Sequence, residues 1–65
     1  MSSHRVEEAA PEALRKEIFL ALVETQDKEV GVARSRRLVA ERFSVTEILV
    51  RAIEEEGLDH EWPPL

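Results

Sequence analysis

The sequence predicts an all-α protein, a small three-helix bundle with an extended C-terminal tail. Two observations carry this. Apolar residues recur at helical spacing in three separate runs, and no stretch of four to eight residues alternates apolar and polar as a half-buried strand would. Two glycines and three prolines in 65 residues, with 43% hydrophobic side chains, fit helices with short connections. The expected organisation is an N-terminal arm over residues 1–10, a helical domain over 11–58 and a tail over 59–65.

The opening "MSSHRVEEAA" is polar and aperiodic, and it reads as a fraying arm. Pro11 suits a first helical position, and Glu12 suits a first turn because the helix dipole favours negative charge there. Leu14, Ile18, Ala21, Leu22 and Thr25 then form one stripe, which predicts a helix over 11–26. Phe19 and Val23 widen that stripe, either to complete the core or to form a face for self-association.

"TQDKEVGV" ends the first helix, with Gly31 as the expected turn residue and Val30 and Val32 as apolar plugs beside it. Ser35 is placed to cap a second helix near 34–43, on which Leu38, Val39, Arg42 and Phe43 repeat at helical spacing. Ser44 and Val45 break the pattern. Thr46 is a second good cap, and a third helix over 46–56 is expected to stop at Gly57 in a left-handed Schellman ending. The predicted core is Leu14, Ile18, Leu22, Leu38, Val39, Phe43, Leu49, Val50 and Ile53.

A chain of this length buries only about 60% of the surface its unfolded form exposes, so the stability margin is thin. Cysteine is absent, which excludes disulfides and thiolate metal sites. No apolar run reaches membrane-spanning length, and the first ten residues lack the apolar middle of a signal peptide, so a cytoplasmic protein without membrane contact is expected. His4 and His60 stand at opposite ends of the chain, and neither Ser35 nor Ser44 has a base at a predictable distance. The reading is therefore of a non-enzyme with no cofactor and no metal.

The net charge of -5 argues against a nucleic-acid partner until its distribution is examined. Residues 1–30 sum to -3, residues 31–51 to +3 and residues 52–65 to -5. All five cations of the middle segment are arginine: Arg34, Arg36, Arg37, Arg42 and Arg51. Arginine suits both phosphates and base edges.

Within that basic segment, Ala40, Ser44, Val50 and Ile53 carry a recognisable spacing: a small residue, a turn residue and two aliphatics on the following helix. A small side chain lets two helices cross closely, the turn bends the chain, and the aliphatics pack back. Over residues 36–56 the chain resembles the helix-turn-helix superfamily, and with the first helix it is similar to the three-helix regulators of bacteria and the promoter-reading domain of sigma factors. It departs from the pattern at Ser44, where glycine is usual because it adopts positive φ at no steric cost. The resemblance implies double-stranded DNA as the partner and a role in transcription regulation. It sets Thr46, Glu47, Ile48 and Arg51 toward bases, with Ala52 beside them, and Arg34, Arg36, Arg37 and Arg42 toward phosphates. It also implies a homodimer on paired half-sites, joined through the first helix around Phe19 and Val23 or through the tail.

A second reading stays open on the same fold. The tail "DHEWPPL" holds the only tryptophan against two prolines, which favour an extended backbone. Trp62 either folds over the first helix or, with Leu65, presents a docking element to a protein partner, to which Ile48 and Ala52 would add. The run Glu54, Glu55, Glu56 reads as a solvated face.

Overall fold

The structure, a computed structural model, describes residues 10–28 and 30–65. It holds three helices, α1 (Glu12–Gln26), α2 (Val32–Phe43) and α3 (Glu47–His60), each packed against the other two, and the described residues include no strand. The all-α, three-helix expectation is met. Of the expected arm only Ala10 is described, and it is fully buried. His4 lies outside the described residues.

Pro11 occupies the cap of α1, one residue before its expected place, and Glu12 opens the first turn. The buried face is Arg15, Ile18, Phe19, Ala21 and Leu22, while Leu14 and Thr25 are only half-buried. The stripe is thus turned by about one residue from the one read off the apolar pattern. Its cause is Arg15, a charged side chain at a buried position, which a hydrophobicity pattern sets outside.

The second helix begins at Val32, three residues before Ser35. Gly31 is its cap and has ordinary extended dihedrals, φ -58° and ψ 154°, so it is not the turn glycine that was expected. Ser35 is not a cap. It lies fully buried inside the helix and donates its hydroxyl back to the Gly31 carbonyl at 2.9 Å, which satisfies the oxygen without water. The earlier start turns the buried face of α2 to Ser35, Val39 and Ala40, so Leu38 is 40% exposed and Phe43 half-buried. Both were expected in the core; Phe43 packs against its edge, as Leu14 does, whereas Leu38 lies outside it. Of the two plugs, Val30 is half-buried and Val32 is exposed.

Thr46 caps α3 as expected, its hydroxyl oxygen accepting from the Leu49 N–H at 3.0 Å. The helix does not stop at Gly57 but runs one turn further to His60. Gly57 is buried in mid-helix, where an added Cβ would fall within the Phe19 ring. Its lack of a side chain is used for close approach rather than for positive φ. The left-handed residue is Glu61, at φ 53°; its N–H donates to Leu58 at 3.3 Å and the Trp62 N–H to Gly57 at 3.0 Å, the paired bonds of a Schellman ending.

The core is completed by Trp62, 7% exposed, whose ring meets Phe19 edge-on at 6.0 Å. Lys16 lies over the same ring at 5.7 Å and His60 stacks beside it at 6.1 Å. Beyond it the expected extended run is drawn into a turn, with the Leu65 N–H donating to the Trp62 carbonyl at 2.9 Å. No helix among the described residues is long and apolar enough to cross a membrane.

Candidate nucleic-acid interface

The local structure of the α2–α3 junction follows from four residues. Ala40 is buried where α2 meets its neighbours, and Val50 and Ile53 are fully buried on the inner face of α3. Ser44 joins the helices in the left-handed conformation, φ 58° and ψ 44°. Its own N–H donates to Glu41 at 3.3 Å and the Val45 N–H to Ala40 at 2.9 Å, so α2 also ends in a Schellman motif, built without glycine. A non-glycine residue in that region costs about 1 to 2 kcal/mol. The chain accepts it at the ends of α2 and α3, at Ser44 and Glu61.

The five arginines of the basic segment divide sharply. Arg36 is held inside the fold: its Nε and Nη2 reach Glu54 Oε1 at 2.9 and 2.8 Å, joining α2 to α3, while Gln26 of α1 donates to Glu54 Oε2 at 3.4 Å. Arg42 is exposed, but it lines a shallow groove with Glu17, Leu20, Ala21, Glu24 and Phe43, and its guanidinium lies 5.4 Å from the Phe43 ring. Arg34, Arg37 and Arg51 are exposed and enter no ion pair among the described residues. With Arg36 neutralised by Glu54, the segment from 31 to 51 keeps a charge of +2.

Of the residues expected to face bases, Thr46, Glu47, Ile48 and Arg51 are exposed and Ala52 is half-buried. Thr46 spends one oxygen lone pair on the helix cap. Ile48 is the most exposed large apolar side chain of the described residues, at 77%. Arg51 stands one turn from Glu47 on one side and one turn from Glu55 on the other, so this face of α3 carries both signs.

The acidic run on α3 has a different role from the solvated one expected. Glu56 accepts both Nε and Nη2 of Arg15 at 2.8 Å, a bidentate fork, and Arg15 Nη1 donates to the Ala10 carbonyl at 2.8 Å. Glu54 takes Arg36. Two of the three carboxylates therefore fasten α3 to the other two helices, and Glu55 alone is exposed. Sequence reasoning missed this clamp. Its signal was present: Arg15 lies three and seven residues before Ile18 and Leu22, on the buried register of α1.

Trp62, a residue of the protein-docking reading, is enclosed by Phe19, Lys16 and His60; Leu65 is 59% exposed. The described residues contain no group of three or more metal-ligating side chains. In comparisons with known proteins, no family model, curated protein or solved structure matches the chain.

Proposed function

We propose that the chain is a small helix-turn-helix protein that binds double-stranded DNA and regulates transcription. The observation that carries the reading is the α2–Ser44–α3 junction. Its small residue, left-handed turn residue and two buried aliphatics stand at the spacing of the motif, and serine takes the conformation that glycine usually supplies. Arg34 and Arg37, exposed and without an ion pair among the described residues, hold phosphates, and the start of α3 offers Arg51 for guanine, Glu47 for cytosine and Ile48 for a thymine methyl. Arg36 and Arg42 contribute less than their residue type suggests, because one is paired with Glu54 and the other sits beside Glu17 and Glu24.

The test is retardation of genomic fragments across a salt series. The parent should bind at low salt and weaken steeply as salt rises, since each phosphate contact releases counterions. Failure of the parent to retard any fragment at low salt overturns the reading.

A second reading is favoured by one observation, the 77% exposure of Ile48 on a helix face where Arg51 is flanked by Glu47 and Glu55. There the protein is an adaptor that docks a protein partner through Ile48 and Ala52, with Leu65 as a further apolar contact. Under it Ile48→Asp abolishes partner capture while Arg34→Ala and Arg37→Ala do not. Under the DNA reading the two arginine variants weaken binding to every sequence.

A further inference from the structure

The outward face of α1 is used by neither the core nor the residues proposed to meet DNA bases. Ala13, Lys16, Glu17, Leu20 and Glu24 are all exposed there. Leu20, 40% exposed, forms a ridge between two shallow grooves. One is bounded by Ala13, Lys16, Pro63 and Pro64, the other by Glu24, Arg42 and Phe43, with Glu17 on the rim of both.

Charge along this face is ordered about Leu20. Lys16 lies four residues before it and Glu24 four after, both exposed on α1. Along this row the order is antisymmetric, with Glu17 and Arg42 on the rims beside it. A helix of this kind set parallel to a copy of itself opposes like charges, whereas set antiparallel, with a two-fold axis at Leu20, it opposes unlike ones. Lys16 then meets Glu24 of the second copy, Glu24 meets Lys16 of the second copy, and the two Leu20 side chains meet at the axis. A contact repeated by a two-fold needs such a self-complementary surface, and the i±4 row through Lys16, Leu20 and Glu24 is one that antiparallel helices interdigitate.

We infer that α1 is a homodimer interface, with two copies packed antiparallel in the register that centres Leu20 on Leu20. The occupant is a second copy rather than a basic or an acidic partner, because either of those would satisfy one end of the face and oppose the other. The surface expected from the sequence around Phe19 and Val23 moves round by one residue, since Phe19 is fully buried in the fold. Leu20, Ala13 and the two prolines give a small apolar centre, so the dimer is weak and forms as the concentration rises. This inference stands independently of the DNA reading and is tested without DNA.

The experiment is sedimentation equilibrium of the full chain from low micromolar to millimolar concentration, at low and high salt. The parent should pass from monomer to dimer, less readily at high salt because the flanking pairs are exposed and screened. Lys16→Glu and Glu24→Lys each create two like-charge contacts and should weaken dimerisation about tenfold or more. Combining them reverses the order yet keeps it complementary, so the double variant should return to the parent's value. An equimolar mixture of the two single variants should form a heterodimer.

Circular dichroism of each variant checks the fold, since Lys16 also pairs with Glu12 at 3.3 Å and lies over Trp62. If Lys16→Glu unfolds, Glu24→Lys and Leu20→Lys carry the test, and both must lower dimerisation. A parent that stays monomeric at millimolar concentration overturns the inference. So do single variants that dimerise like the parent, or a folded double variant that remains as weak as the singles.

Discussion

The contact of α1 with α3 and the contact of α2 with α3 are built from different materials. On the first, Phe19 fits against Gly57, Trp62 closes over Phe19, and Arg15 grips Glu56 through two bonds while holding the Ala10 carbonyl with a third. On the second, the buried residues of α2 are Ser35, Val39 and Ala40, Phe43 is half-buried, and the turn residue sits in a conformation that serine disfavours. Large residues and a bidentate ion pair mark one junction; small residues and the pair of Arg36 with one oxygen of Glu54 mark the other, beside outward arginines. Stability is therefore concentrated between α1 and α3, and α2 has side chains to spare for a partner.

The largest test of that contrast compares the two phenylalanines. Phe19→Ala should destabilise by about 3 to 5 kcal/mol, as for a fully buried aromatic, and Phe43→Ala by about half as much. Thermal denaturation of both would break the comparison if the order were reversed. Next come the two interhelical ion pairs. Glu56→Ala removes the bidentate fork that Glu56 makes with the Arg15 guanidinium, 10% exposed, and should cost about 2 kcal/mol, as for charge-assisted hydrogen bonds at a pair whose carboxylate is 26% exposed. Arg36→Ala, at a half-buried pair, should cost about 1 kcal/mol. Urea midpoints at constant slope measure both, and equal losses would remove the asymmetry.

A smaller change of opposite sign sharpens the picture. Ser44→Gly relieves a left-handed serine and should raise stability by about 1 kcal/mol, less whatever backbone entropy glycine adds to the unfolded chain. A lower melting temperature for this variant would mean that serine contributes something beyond its backbone. The smallest effect on folding is expected from Arg34→Ala and Arg37→Ala. Their melting temperatures should match the parent's, while each lowers the salt slope of DNA binding by about one unit. A large thermal loss would place these arginines with Arg36 as structural groups.

How far the sequence could be read follows the same division. Three helices, the Thr46 cap and the burial of Ile18, Leu22, Val39, Leu49, Val50 and Ile53 were legible because each rests on local spacing or on one side chain meeting the backbone three residues on. Arg15, Ser35 and Gly57 are residues whose type suggests surface, cap or stop, yet each is buried: Arg15 and Gly57 are completed by residues far along the chain, Glu56 and Phe19, and Ser35 by the Gly31 carbonyl one turn back. Polarity pairing across helices leaves no periodic trace. The same holds for the candidate site. The cluster of arginines was legible, but its division into held and outward members depended on Glu54, which local spacing does not link to Arg36.

Gly57 and Phe19 draw on a single volume, one supplying the ring and the other the hollow that receives it. Alanine at 57 would gain about 1 kcal/mol in helix propensity, yet it would force the ring from its seat, and overpacking of this kind costs about 1 to 3 kcal/mol. The two positions are thus bound by a conservation rule: what one gains in size the other must give up. A chain of this architecture with alanine at 57 can keep its packing only with a slimmer residue at 19. Because Trp62 rests edge-on against Phe19, that exchange would reach the tail as well. Three residues from the first helix, the last helix and the tail thereby share one packed volume, so a change in size at any one calls for a compensating change at another.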